Sequence, residues 1–188
     1  MQPRRRRLHR RPSPPNDPAM NGPAIAAVIS RELKTIEREL NAYQNDEQVW
    51  ALPAGLPNSG GTLALHAAGN LRHFIGTVLG GGSYVRDRDA EFSRRGVPRA
   101  ELIDGLQQAE KAVRDTLTSM DPATLSEPYP LPVFNRRIDT GEYLTHLATH
   151  LAYHAGQLDY HRRVVTGDVA GVGAVSPLDL PSATPIDG

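Results

Sequence analysis

Apolar residues recur every three or four positions in four separate stretches of this chain, and that period commits each stretch to a helix with one buried face. Between Pro23 and about Asn45 the stripe is Ile25, Ile29, Leu33, Ile36, Leu40 and Tyr43, with Glu32, Lys34, Glu37 and Arg38 on the wet side. Pro53, Gly55, Pro57 and the run Asn58-Ser59-Gly60-Gly61 then break the chain. A second helix is expected from Thr62 to Leu79, with Leu63, Ala67, Leu71, Phe74 and Val78 on one side. The third runs from Pro98 to Ser119 through Leu102, Leu106, Ala109, Val113 and Leu117, and Pro98 suits a first turn that needs no N–H.

A fourth helix should start near Asp139, whose carboxylate would cap it while Glu142 reaches back. It passes through Tyr143, Leu144, Leu147, Leu151, Leu158 and Val165 and stops at Gly167. No stretch alternates like a strand with hairpin turns. The expected fold is therefore all-α, a four-helix bundle over residues 22–167. The 18-residue link Gly80–Val97 is longer than adjacent antiparallel helices need. At roughly 3.3 Å per residue it can cross a whole bundle, so helices two and three can run parallel.

Charge separates the body from its ends. Lys+Arg and Asp+Glu both number 21, yet six arginines lie within the first eleven residues. From Met20 onward there are 15 basic and 20 acidic side chains, a net of −5. An acidic body argues against nucleic acid as its partner. Residues 1–21 hold arginine and proline with nothing apolar to bury, and are expected to be a disordered basic tail. Two readings of that tail stand: a basic arm for nucleic acid, or a translation start assigned too early, with Met20 the true first residue. The second is favoured. Residues 168–188, rich in Gly, Pro and small side chains, read as a flexible C-terminal tail. The absence of cysteine excludes disulfides, thiolate metal sites and cysteine nucleophiles. No apolar run reaches the roughly 18 residues of a membrane span, and no apolar stretch of an export signal follows the arginines; the expected location is cytoplasmic.

Four of the seven histidines fall within sixteen residues: His146, His150, His154 and His161. At about 100° per residue they span only about 80° of the helix surface, and Gln157 joins them. Histidines four apart can converge on one divalent ion at about 2.0–2.1 Å per bond, but two ligands on one helix need a third from elsewhere. The second helix offers His66, Asn70 and His73 on a shared face, and a histidine best complements a histidine pair. Three nitrogen donors would leave one position open for water or substrate. Each lone histidine is otherwise an ordinary packed or half-exposed side chain; His9 and His73 are read that way.

LHAAGNLRHFIG (residues 65–76) and HLATHLAYHAGQL (residues 146–158) resemble the DinB-like (DinB/YfiT) superfamily of small bacterial helical proteins. The fourth-helix pattern of His-x-x-x-His followed by Gly-Gln stands here as His150, His154, Gly156 and Gln157, and the remaining family ligand falls on His66. The resemblance, over roughly residues 24–165, implies an up-down-down-up four-helix bundle. It also implies zinc or nickel on the three histidines, a homodimer, and, in some relatives, transfer chemistry with a low-molecular-weight thiol as co-substrate. The residue after the last ligand, often arginine in such proteins, is Ala155, which removes an anion-binding role from that position.

A metal with an open position could activate water for hydrolysis or deprotonate a thiol for S-transfer to a small-molecule substrate. Leu147 and Leu151 stand where an HExxH motif would place its general base, which argues against the protease-like class. Asn70, Tyr153, Gln157 and His146 are candidates to hold the ligands or the substrate by hydrogen bonds; no catalytic residue is assigned. Arg86, Arg88, Arg94 and Arg95 alternate with Asp87, Asp89 and Glu91, the pattern of a self-compensating solvated loop, and Gly80–Gly82 lacks the Gly-Lys-Ser/Thr of a phosphate loop. The competing function is a non-catalytic helical module, stress-associated or partner-binding.

Overall fold

The computed structural model describes residues 21–173 and 176–186, so the basic tail and the Met20 question lie outside the described residues. The class is all-α. Helices run Gly22–Asn41 (α1), Asp46–Trp50 (α2), Gly60–Leu71 (α3), Arg88–Ser93 (α4), Arg99–Ser119 (α5) and Thr140–Thr166 (α6). Among the described residues the only β pairing is two isolated bridges, Pro128 with Asp139 and Val133 with Arg136. None of the described helices is long and apolar enough to cross a membrane.

The predicted stripes form the core. Ile25, Ile29, Leu33, Ile36 and Leu40 of α1 meet Leu102, Leu106, Ala109, Val113 and Leu117 of α5, and Leu144, Leu147, Leu151 and Leu158 of α6. α1 packs on α5 and α6, and α3 packs on the same two from the other side. Eleven of the twelve residues of α3 are buried, because its small side chains let neighbours close in all round.

Several local expectations are corrected. α1 stops at Asn41 rather than Asn45, because Asn45 caps a new short helix by accepting from the backbone N–H of Gln48. α3 starts at Gly60 because the Ser59 side chain accepts from Thr62 N–H, so the Asn-Ser-Gly-Gly run initiates a helix as well as ending a loop. Pro98 is the cap preceding α5. Asp139 does occupy the cap position of α6, but its side chain caps nothing. Its segment pairs with the chain around Pro128 instead: Tyr129 N–H donates to Ile138 O, and Thr140 N–H to Glu127 O. The stop at Gly167 holds, in the left-handed conformation (φ 71°) that glycine takes without a Cβ clash.

Two larger features escaped the helical period. After Leu71 the second helix widens into a π-helical segment, Arg72–Thr77, whose bonds reach five residues back. One extra residue in the turn moves Ile75 to full burial, where a regular helix would have carried Phe74, and leaves Phe74 half-buried at the edge of the core. The second feature is a hairpin turn closed by the inner bridge: Val133 and Arg136 exchange both backbone bonds across Phe134 and Asn135, each at positive φ (47° and 59°).

At the far end, buried Arg162 donates to Glu39 at 2.5 Å and to the carbonyls of Asp168 and Ala170. Removing one partner of such a pair typically costs about 3–5 kcal/mol. That pair fastens α6 to α1 and holds the first residues beyond Gly167 against the body.

Candidate metal centre

α3 and α6 face each other, and the face of α3 that carries His66 lies against the turns of α6 that carry His150 and His154. One ligand nitrogen from each of the three lies within 4.8 Å of the other two. His66 is buried and the other two are half-buried. Nε2 of His154 lies 3.1 Å from Nε2 of His150. The rings of His66 and His150 have centroids 5.4 Å apart, and those of His66 and His154 5.0 Å apart, each pair nearly perpendicular.

The tautomers follow from the outer partners. The Glu91 carboxylate can only accept, so Nδ1–H of His66 donates to its Oε2 at 2.9 Å. Nε2 of His66 is then the nitrogen that the neutral ring offers to a ligand. Gln157 Oε1 accepts from Nδ1–H of His154 at 2.8 Å, with the same consequence for that ring. Burial first, then the positive charge of His154, His66, His146 and Arg86, pushes His150 down to about 4. Burial likewise lowers His154, against its hydrogen bond to Gln157. The α6 pair is thus neutral at pH 7, the form a divalent metal requires. Such a group fits zinc or nickel, which accept imidazole nitrogen. The carboxylate–histidine arrangement at Glu91 is the usual outer support of a metal-bound imidazole.

Glu91 and Arg86 are the pieces the sequence reading missed. The link Gly80–Val97 is not uniformly solvated: α4 folds against α3, burying Glu91 and leaving only 11% of the Arg86 side chain exposed. Asp87 initiates α4 by accepting from Ala90 N–H. Arg86 Nε and Nη2 grip the two Glu91 oxygens at 2.7 and 2.8 Å. Burial pushes the Glu91 carboxyl up, but bonds from Arg86 and His66 outweigh it and hold it below the usual range. Gly69 makes room: a Cβ there would sit 2.2 Å from Glu91 Oε1. Arg86 Nη2, 3.4 Å from His66 Nδ1, is a neighbour of that nitrogen rather than its donor, since the nitrogen already carries its proton.

The other candidates divide. Asn70 and His146 line the cavity beside His66 and His150, and His146 stacks between Tyr143 and His150. Gln157 is in place on His154. Tyr153 is 65% exposed on the outer side of α6, with its ring 5.6 Å from that of His154. His161, in the same angular sector, does not join the cluster. Seven residues beyond His154 it lies about 10 Å further along the helix, bonded to Tyr43 and to Ala51 O. His73 stays at the margin beside Phe74.

The cavity measures 350 Å³ and is walled by Phe74, Tyr143 and the hairpin tip. The π-helical widening turns Phe74 into that wall, where Tyr129 donates to its carbonyl at 2.6 Å and the Arg86 guanidinium lies 5.3 Å over its ring. Burial raises the Tyr143 hydroxyl to about 12, so it remains a proton donor at neutral pH. Phe134 is 95% exposed at positive φ, a conformation costing a bulky residue about 1–2 kcal/mol.

No curated protein and no solved structure matches the chain. The family model described as "Protein of unknown function (DUF1572)" matches residues 24–171, which cover all but the first two residues of the four long helices and every residue of the histidine cluster. The chain therefore belongs to this DinB-like family.

Proposed function

We propose that the protein is a divalent-metal-binding DinB-like protein that holds one ion, zinc or nickel, on His66, His150 and His154. The observation that carries this is the convergence of those three imidazoles with two of the tautomers fixed from outside. The ion would supply Lewis acidity for a small-molecule substrate, in keeping with a metal-dependent thiol S-transferase or a related hydrolase. Within that chemistry Glu91 and Gln157 keep the Nδ1 protons on His66 and His154, so both rings offer Nε2. Asn70, His146 and the Tyr143 hydroxyl supply hydrogen bonds along the cavity wall. Tyr153, on the outer side, would act only on a ligand reaching across His154.

In this reading residues 22–167 are the folded unit, a bundle of up-down-down-up course. Residue pairs support that course. Gly22 lies at Leu117 and Gln107 bonds Glu37, so α1 and α5 run oppositely. Gly76 lies at Ala112 and Gly80 at Thr116, in step along the second helix and α5.

A second reading, a homodimer or a partner-binding module, is favoured by one feature. Tyr153, Tyr160 and Val164 form an exposed stripe along the outside of α6, 65%, 72% and 58% accessible. A cytoplasmic setting accords with either.

Elemental analysis after loading with zinc or nickel, followed by a thiol-transfer screen with and without the ion, tests the proposal. One equivalent of metal, lost in His66→Ala, is expected. A protein that takes up none, or a His66→Ala variant that takes up a full equivalent, would overturn it.

A further inference from the structure

The cavity beside the histidines has a chemical character of its own. None of its lining residues is acidic, yet it carries two guanidinium groups, Arg86 and Arg88. Glu91 approaches Arg86 through Nε and Nη2 only, leaving Nη1 without a partner among the described residues. Arg88 forms no ion pair among the described residues; its guanidinium lies 5.0 Å over the Phe92 ring. Three neutral imidazoles would leave the full double charge of an ion uncompensated at the same spot. Glu91 balances Arg86, but exposed Arg88 and the ion would still leave the cavity net positive, a charge that an anion completes.

Beside Arg86, whose guanidinium lies over the Phe74 ring, the wall turns apolar. Phe74 and Tyr143 meet edge to face with centroids 5.5 Å apart. Over them hangs the hairpin tip, where Phe134 is held in a backbone conformation that suits glycine or asparagine and is exposed to solvent. Nothing among the described residues covers that ring. A bulky aromatic kept strained at a cavity mouth points to contact with a ligand. At 350 Å³ the cavity suits a small molecule rather than a peptide segment.

We propose that this cavity binds a small organic anion with a flat apolar body, its carboxylate at Arg86 and Arg88 and its body between Phe74, Tyr143 and Phe134. The inference rests on the metal reading for the ion's share of the charge, while the arginines and the aromatic wall belong to the chain itself.

Calorimetric titration of the zinc-loaded full-length protein with benzoate, benzyl alcohol and benzylamine tests it, with zinc content measured on the same samples. Benzoate should bind at least about tenfold more tightly than its neutral and cationic counterparts. Arg88→Gln should weaken benzoate by about tenfold and leave zinc content unchanged. Phe134→Ala should weaken benzoate but not formate, which has no body to cover. Equal binding of the three aromatic probes, or benzoate affinity unchanged in Arg88→Gln, would overturn the proposal. If the protein takes up no zinc, the metal reading fails by itself. Benzoate binding to that metal-free protein, lost in Arg88→Gln, would still sustain the anion site, and no binding to either form would remove it.

Discussion

His154 and His161 lie seven residues apart on one helix and one face, yet they have opposite fates. His161 is saturated. The carbonyl of Ala51 can only accept, so Nε2–H donates to it at 2.9 Å, and Nδ1 accepts from the Tyr43 hydroxyl at 2.6 Å. Both nitrogens are spent on structure. His154 has one nitrogen spent, on Gln157, while the other faces His150 across 3.1 Å. Angular position on a helix decides whether a side chain faces inward. What waits there, and at what height, decides whether it is a packing group or a ligand.

The sharpest way to break this contrast is to remove each ring in turn. His154→Ala should lower zinc affinity by more than the roughly 10–100-fold that loss of an outer partner costs, whereas His161→Ala should leave it unchanged. Zinc titration against a competing chelator reads both. Equal losses in the two variants would erase the distinction.

The contrast extends to the outer partners. Glu91→Gln should cost roughly 10–100-fold in zinc affinity, because the carboxylate that fixes the His66 tautomer is gone. Its secondary structure, followed by circular dichroism, should match that of the parent protein.

On the structural side, His161→Ala should cost about 1–3 kcal/mol in chemical unfolding, since the buried Tyr43 hydroxyl loses its acceptor. pH is the complementary probe. Burial, opposed by the bond to Ala51 O, lowers His161 below its ordinary value of 6.5. The unfolded chain therefore binds the proton first. This contribution to stability is complete above about pH 6.5 and drains away as pH falls toward the lower folded-state value. In His161→Ala, that part of the acid slope should vanish.

The smallest effect is expected at the hairpin. Phe134→Gly should raise unfolding stability by about 1 kcal/mol by relieving the positive φ. A loss of stability would mean that the ring packs on the body rather than waiting at the cavity.

How far the sequence could be read depends on whether a signal is local. α5 and most of α6 were legible because Leu102 to Leu117 and Tyr143 to Leu158 keep an unbroken period. The π-helical turn was not, since one additional residue between Leu71 and Ile75 leaves no repeat to detect. The histidine pair on α6 announced itself by spacing, while His66 was singled out from Asn70 and His73 by family resemblance. Glu91 and Arg86 were hidden by their charged neighbours: alternating Asp and Arg reads as a wet loop, and only the docking of α4 on α3 buries two of them. Tyr43 and His161 are partners across 118 positions, a distance over which composition carries no information.

X-ray absorption at the zinc edge of the loaded protein tests the central claim most directly. Three imidazole nitrogens at about 2.0–2.1 Å are predicted, and His66→Ala freed of unbound metal should give no such zinc signal. A spectrum without imidazole scattering, or one that His66→Ala leaves untouched, would contradict the three-histidine centre.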